Sequence, residues 1–328
     1  LEMLKQPLVT VVVPCLNRAH FLIPTVESIL QQDYPNIECI VVDGGSSDGT
    51  IEILKSYMNR IKWVSEPDNG HADAINKGWN MSKGEFLAWL NADDCYVIPD
   101  AVRKVVDHLQ NYPEVDVVYG DCALINEDGK IVSDIIKSRK WDLAYAVKYC
   151  YFTIPQAASF MRRSILEKVN WLDPQFHYGK DHELWLRIGL VGKIQYIPIH
   201  LAYVRNCLGL SQHGISVSES KVNLTKKFFT IKDLPMPLGS KSFQRRALSN
   251  AYLLGSLYAW DGGRCTRRMI SYVFRSILTD IFNLPYIVSR FTFHMSISIL
   301  SDLLPYTFKR DLKRFLKLIK NRLNTAMD

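Results

Sequence analysis

The 328-residue chain has seven cysteines, an odd number, and no two stand at C-x-x-C spacing. Neither a zinc ribbon nor a disulfide framework is supported, and such cysteines suit a reducing compartment, the cytosol. The glycine-rich turn at 44–49 is not G-x-G-x-x-G and holds no Gly-Lys-Ser/Thr, so dinucleotide dehydrogenases and P-loop NTPases lack their signatures here. There is no internal repeat, no low-complexity tract and no uninterrupted run of about 20 apolar residues. The most apolar stretch, 284–304, is broken by Arg290, His294 and Asp302, so a spanning helix is not expected. The start, LEMLKQPLVTVVVPCLN, has no charged leader with an apolar run and cleavage site, so no secretory signal is expected either.

What is present is an ordinary globular mixture, 48% hydrophobic and 22% charged, enough for one large domain or two smaller ones. The net charge of +7 conceals a split. Residues 1–218 carry 21 Lys and Arg against 26 Asp and Glu, whereas 219–328 carry 19 against 7. An acidic front and a basic back divide the chain into two regions, 1–218 and 219–328.

The front alternates strands and helices. Residues 9–13 are a β-branched run expected to stop at Pro14, and apolar residues recur at helical spacing from Ile23. Strands follow at 39–42, 61–64, 86–90 and 115–119, with helices after Thr50 and over 72–81. This order specifies an α/β fold with a mostly parallel twisted sheet flanked by helices. Ligands of such sheets sit beyond the carboxyl ends of the strands, where the polar clusters Asn17-Arg18, Asp43, 68–73 and 91–94 fall.

Strand 86–90 runs directly into Asn91-Ala92-Asp93-Asp94. Adjacent carboxylates at the mouth of a buried sheet repel, and a magnesium or manganese ion bridging them to a substrate diphosphate would offset that cost. Helix capping before Pro99, or a solvated turn, is the plainer alternative. Asp43 ends another strand, where it would accept hydrogen bonds from a ribose or base, or else form an Asx-turn in its own loop.

These residues carry a resemblance. The stretch VTVVVPCLNRAHFLIPTVESILQQDYPNIECIVVDGGSSDGT resembles the opening of family 2 glycosyltransferases with the GT-A fold. SEPDNGHADAINKGWNMSKGEFLAWLNADD is similar to that family's middle block, ending in its DXD-type motif, and HYGKDHELWLRI to its catalytic block. The three occur in order over residues 8–205. The resemblance implies an inverting, metal-dependent transferase using a nucleotide-sugar donor, most simply a UDP-sugar, and a glycan or lipid-linked acceptor in cell-surface polysaccharide synthesis.

By the same resemblance, Pro14, Asn17 and Arg18 face the nucleotide, and Asp43 holds its uracil or ribose. Asp73 and Asn76 line the donor side. Asn91 replaces the first acid of the DXD motif, leaving Asp93 as the main ligand of Mn2+ or Mg2+ and Asp94 as its partner or substitute. Asp181 matches the general base, with Glu183 as a second candidate and Lys180 where the family commonly has Glu. The plainer role for Asp181 is an N-cap of a helix spanning 183–190. His213 matches a family histidine near the diphosphate, or is a solvated loop residue. The QxxRW block is missing, which argues against a processive synthase. The rivals are a sugar nucleotidyltransferase, whose glycine-rich activation loop is absent, and an inactive nucleotide- or glycan-binding subunit, which Asn91 and Lys180 would suit.

The C-terminal region reads as helical, with apolar periodicity over 245–260 and 265–282. Phe308, Leu312, Phe315, Leu316, Ile319 and Leu323 then share one helical face, opposite basic residues such as Lys309, Arg310, Lys313 and Arg314. This pattern suits a peripheral helix on an anionic membrane, at its cytoplasmic face, or one packed on the protein. No nucleic-acid motif accompanies the charge, so nucleic acid is not an expected partner.

Overall fold

The computed structural model describes residues 6–97, 99–151, 153–205, 214–261 and 265–288. His213 and the basic 308–323 face lie outside the described residues. Within them, eight strands form one sheet: β1 (Val9–Cys15), β2 (Ile37–Asp43), β3 (Lys62–Ser65), β4 (Phe86–Trp89), β5 (Cys95–Tyr96), β6 (Val117–Ile125), β7 (Ser159–Arg162) and β8 (Ile194–Arg205). Their order is β3-β2-β1-β4-β7-β6-β8-β5. The first four run parallel, as the alternating pattern predicts. β7 then inserts antiparallel between β4 and β6, so the second half of the sheet is mixed.

β1 runs two residues further than expected, through Pro14. Val12 accepts a hydrogen bond from the Leu90 N–H on the β4 side, and Pro14, two residues on, faces the same way. β4 pairs with β1 only as far as Val12, so the N–H that proline lacks would have had no strand partner.

The helices flank both faces: α1 (Ala19–Leu30), α2 (Thr50–Ser56), α3 (His71–Met81), α4 (Ala101–Asn111), α5 (Leu143–Tyr149), α6 (Arg163–Lys168) and α7 (Lys180–Val191). Alternation along β1 decides what each face packs against. Val9, Val11 and Val13 join one core with Leu22 and Val26 of α1 and Val105 of α4. Val12 joins the other with Ile75 and Trp79 of α3 and Trp185 of α7.

α8 (Gly214–Phe228), α9 (Lys241–Asp261) and α10 (Thr266–Thr279) follow. α8 runs straight through position 218, where the charge changes sign. Leu224 and Phe228 of α8 and Ala247 of α9 share a core with Val147 of α5 and Leu186 of α7. The C-terminal helices are thus packed onto the sheet domain through α5 and α7. Among the described residues no helix is long and apolar enough to cross a membrane.

Close approach of α3 to the sheet depends on Gly78. A Cβ there would lie 2.4 Å from Val12 Cγ1 and 2.8 Å from its Cγ2, in a β-branched side chain with no exposure to yield into. Glycine to alanine in a helix ordinarily stabilises by about 0.5–1 kcal/mol. Gly78→Ala should do the reverse and cost about 1–3 kcal/mol by overpacking. Urea unfolding of the two proteins checks the sign.

Candidate active site

The carboxyl ends of β1, β2 and β4 and the amino end of α7 converge on one side of the sheet. The β1 and β2 loops are stitched together. Asn17, at φ +52°, donates its N–H to Ser46 Oγ (2.7 Å) and accepts from the Ser47 N–H through Oδ1 (2.9 Å). Asp48 accepts from the Ala19 N–H at the start of α1 (3.0 Å) and from the Thr50 hydroxyl (2.6 Å). These bonds hold its carboxyl below the ordinary range, that of Thr50 being foremost.

Asp43 is fully buried. Its carboxylate accepts from the N–H groups of Gly45 and Ser46 (both 3.0 Å), from the Ser46 hydroxyl and from Ser65 Oγ (2.6 Å). The Asx-type alternative is what the fold uses. Contact with a base or ribose would require exchanging one of these bonds. Asp73 likewise accepts from the Asn69 N–H (3.0 Å), closing the turn before α3. Asn76 departs furthest from the expectation of lining the donor side. Its amide clamps the Leu172 backbone from both sides, donating to the carbonyl (2.8 Å) and accepting from the N–H (3.1 Å). It is a tie between α3 and the segment leading to α7.

The pair Asp93-Asp94 is divided by its surroundings. Asp94 is 2% exposed, and both of its oxygens are engaged, by the Arg205 N–H (2.9 Å) and Asn91 Nδ2 (2.9 Å). Burial first, and the neighbouring charge of Asp93 second, push its carboxyl up to about 7. Asp93 keeps 19% of its side-chain exposure and lies 3.9 Å from the Arg18 guanidinium. Arg205, at the end of β8, also donates to the Asp93 carbonyl (2.8 Å) and to the carbonyls of Asn126 (2.5 Å) and Glu127 (2.7 Å), and lies over the Phe21 ring. Nothing in the sequence marks Arg205 as a member of the site; a buried arginine at a strand end is its only signature.

No group of three or more His, Cys, Asp or Glu side chains forms a metal cage among the described residues. Magnesium-type ions, however, commonly take one or two protein carboxylates and complete their shell with water and substrate phosphate. Asp93 fits that arrangement. Asp94 fits it less well, because it is buried and its carboxyl is pushed up to about 7.

Asp181 sits in the first turn of α7, whose N-cap is Gly179 at φ +70°. The helix starts at Lys180, three residues before the expected 183, and Asp181 lies inside it, not at the cap. A left-handed Gly179 turns the chain sharply into the helix, and the helix amino end favours a carboxylate at this position. Burial alone would raise the Asp181 carboxyl, but the electrostatic pull of the neighbouring His182 ring and of the Lys180 and Lys221 ammonium groups outweighs it and holds it below the ordinary range. His182 Nε2 is 3.6 Å from Asp181 Oδ2, and Lys221 Nζ of α8 is 2.8 Å from His182 Nδ1. A histidine pushed down to about 3 by burial is neutral, so it accepts from Lys221 and carries its proton toward Asp181.

Glu183, the second candidate base, is committed elsewhere. It is 3% exposed, forked onto Arg187 (2.6–2.9 Å) and bonded to Lys227 of α8 (2.6 Å).

A cleft of about 440 Å³ brings together Asn91 and Asp94 from the β4 loop with Lys180 and Asp181 from α7. It therefore joins Asp94, the buried member of the strand-end pair, to an ionised carboxylate on a helix amino end, while Asp93 lies next in sequence but does not line the cleft.

Residues 10–169 match the family described as Glycosyl transferase family 2. This segment, just under half of the chain, is similar to glycosyl transferase family 2, and the fold of the chain is GT-A. A Rickettsia typhi protein named as an uncharacterized glycosyltransferase is 28% identical over 195 residues, 58% of this chain and 61% of that protein. The chain thus matches about three-fifths of that relative's length. Among solved structures, S. aureus TarS 1–349 in complex with UDP-GlcNAc superposes with a TM-score of 0.59 at 15% identity, covering 87% of this chain and 91% of that one. The mannosyltransferase PcManGT from Pyrobaculum calidifontis, in complex with GDP-Man and Mn2+, gives 0.56 at 19% identity, covering 85% and 88%.

The Asp94 proton has a measurable consequence. Its folded-state pKa, about 7, lies above the ordinary aspartate value of 3.8, so the folded protein keeps a proton the unfolded chain releases. That contribution is present below pH 3.8 and is lost as pH rises through 7. In EDTA, wild type should lose on the order of 2–3 kcal/mol relative to Asp94→Asn between pH 5 and pH 8. Denaturant unfolding at the two pH values checks it, and parallel profiles would show that Asp94 is ionised throughout.

Proposed function

We propose that the protein transfers a sugar from a nucleotide-sugar donor, a UDP-sugar, to a hydroxyl of a glycan or lipid-linked acceptor, with inversion at the anomeric carbon. The observation carrying this reading is the shared cleft, with Asn91 and Asp94 of the β4 loop on one wall, next in sequence to Asp93, and Asp181 on the other. An alcohol is a weak nucleophile at neutral pH. A carboxylate about 2.6–3.2 Å from its oxygen accepts the proton as the new bond forms. Asp181 is held ionised by surrounding cations, with no other accessible carboxylate on the first turn of its helix. One base opposite the leaving group makes a single displacement.

The nucleoside diphosphate leaves with negative charge. Asp93 would hold a divalent ion, manganese or magnesium, which supplies charge stabilisation to that diphosphate when bound. Arg18 and Lys180 add fixed positive charge at the two sides. Asn17, Asp43 and Asp48 shape the loop that would receive the nucleoside. The UDP preference draws on the TarS complex, and the metal on the PcManGT complex. A role in cell-surface polysaccharide synthesis, at the cytoplasmic face of the membrane, draws on the basic amphipathic stretch at 308–323.

Asp181→Asn should lower transfer by about 10²–10⁴ while UDP affinity stays within twofold. Release of UDP from a panel of UDP-sugars with candidate acceptors, beside UDP calorimetry, measures both. Near-normal turnover by the variant would remove Asp181 from the role of base.

Asp93→Ala should abolish the manganese-dependent part of UDP binding, because no other accessible carboxylate of the β4 loop replaces it. Calorimetry of UDP with and without manganese decides this. Equal metal dependence in both proteins would reassign the ligand.

A further inference from the structure

A second cavity, about 650 Å³, is lined on α7 by His182. Five tyrosines line it: Tyr145 and Tyr149 of α5, Tyr151 just after it, Tyr258 of α9 and Tyr286. Four of them form a connected set, with ring centroids 4.7 Å apart for Tyr145 and Tyr149, 6.1 Å for Tyr145 and Tyr151, and 5.9 Å for Tyr149 and Tyr286. Tyr145, Tyr151 and Tyr258 are 42%, 49% and 38% exposed, so their rings edge the open side of the pocket. Among the described residues the lining also includes Arg139, His182 and Lys221, and no carboxylate.

Tyrosine faces present flat apolar area with a hydroxyl at the edge, at small cost in side-chain entropy. That combination suits a pyranose ring, whose C–H faces stack while its hydroxyls find partners. A lining with two basic side chains and no acid suits a ligand that brings negative charge. The position of the pocket gives it a task. Asp181 lines the cleft already described, His182 lines this pocket, and the two side chains are 3.6 Å apart. A saccharide seated against the tyrosines would therefore lie beside His182, next to Asp181, and its reacting end would have to extend into the cleft that Asp181 lines.

We propose that this tyrosine-walled pocket is the acceptor site and that the acceptor is an acidic saccharide, its rings on the tyrosines and its carboxylate or phosphate toward Arg139 and Lys221. The proposal rests on the transfer reading above. In the step it serves, the acceptor hydroxyl gives its proton to Asp181 and its oxygen bonds the anomeric carbon. The bond from that carbon to the diphosphate breaks, and the nucleoside diphosphate leaves with the electron pair.

The test is binding to the full chain at 150 mM salt. One pair of probes is an alternating glucuronate/N-acetylglucosamine tetrasaccharide and its carboxyl-reduced neutral counterpart. The other is glucose 6-phosphate and glucose. At least one acidic member should bind tenfold or more tightly than its neutral counterpart, and which pair responds distinguishes carboxylate from phosphate. Tyr258→Ala and Arg139→Gln, both at exposed positions, should each weaken that binding about tenfold and leave UDP affinity unchanged. Tyr258→Ala alters no charge, so its effect separates the pocket from general attraction to a basic protein. Equal binding of acidic and neutral probes, no binding of either, or binding indifferent to both variants overturns the proposal. UDP binding without saccharide binding removes the pocket but keeps the transferase reading; saccharide binding without UDP binding does the opposite.

Discussion

Two adjacent carboxylates at the end of a fully buried strand are the constraint around which this protein is arranged. Left alone, Asp93 and Asp94 would repel each other in a region that water barely reaches. The fold answers by treating them differently. Arg205 and Asn91 enclose Asp94, and burial leaves it a proton to about pH 7, while Asp93 stays open beside Arg18. Arg205 comes from the far end of β8, more than a hundred residues along the chain. The mixed second half of the sheet therefore positions the loop that ends its parallel first half.

Much of this was legible in the sequence, and what was not has identifiable causes. Parallel strands buried on both faces read as β-branched runs, so β1 to β4 and the polar ends of those strands could be placed directly. β7 and β8 could not. β7 is four residues long, and β8 shows no alternation strict enough to separate it from a loop. Residue identity marked Asp43 and Asn76 but not what they bond to. Aspartate at a strand end can turn inward to its own loop as readily as outward to a ligand, and an asparagine amide serves a backbone clamp as well as a substrate. Asp181 lies two residues deeper in its helix than an N-cap would, because glycine has taken the cap.

The charge split along the chain also changes meaning once folded. Part of the basic C-terminal region is spent inward. Lys227 pairs with Asp173 and Glu183, Lys221 with His182, and Arg246 with Asp280. The first two of these reach across to α7 or the segment before it. The helix carrying Asp181 is thus held by acidic residues from one half of the sequence and basic residues from the other, and neither half alone contains the electrostatic setting of Asp181.

The tryptophans beneath the site give this arrangement an optical signature. Trp89 ends the strand that leads into the carboxylate loop, and Trp185 lies one turn after Asp181. Their rings stack 6.1 Å apart and 18° from parallel, while Trp79 meets Trp89 edge-on at 5.4 Å. Indoles this close exchange excitation energy, and their near-ultraviolet dichroism depends steeply on separation and tilt. The stack spans the joint between the two walls of the cleft, so a change in the spacing of those walls is written into the spectrum of the unlabelled protein.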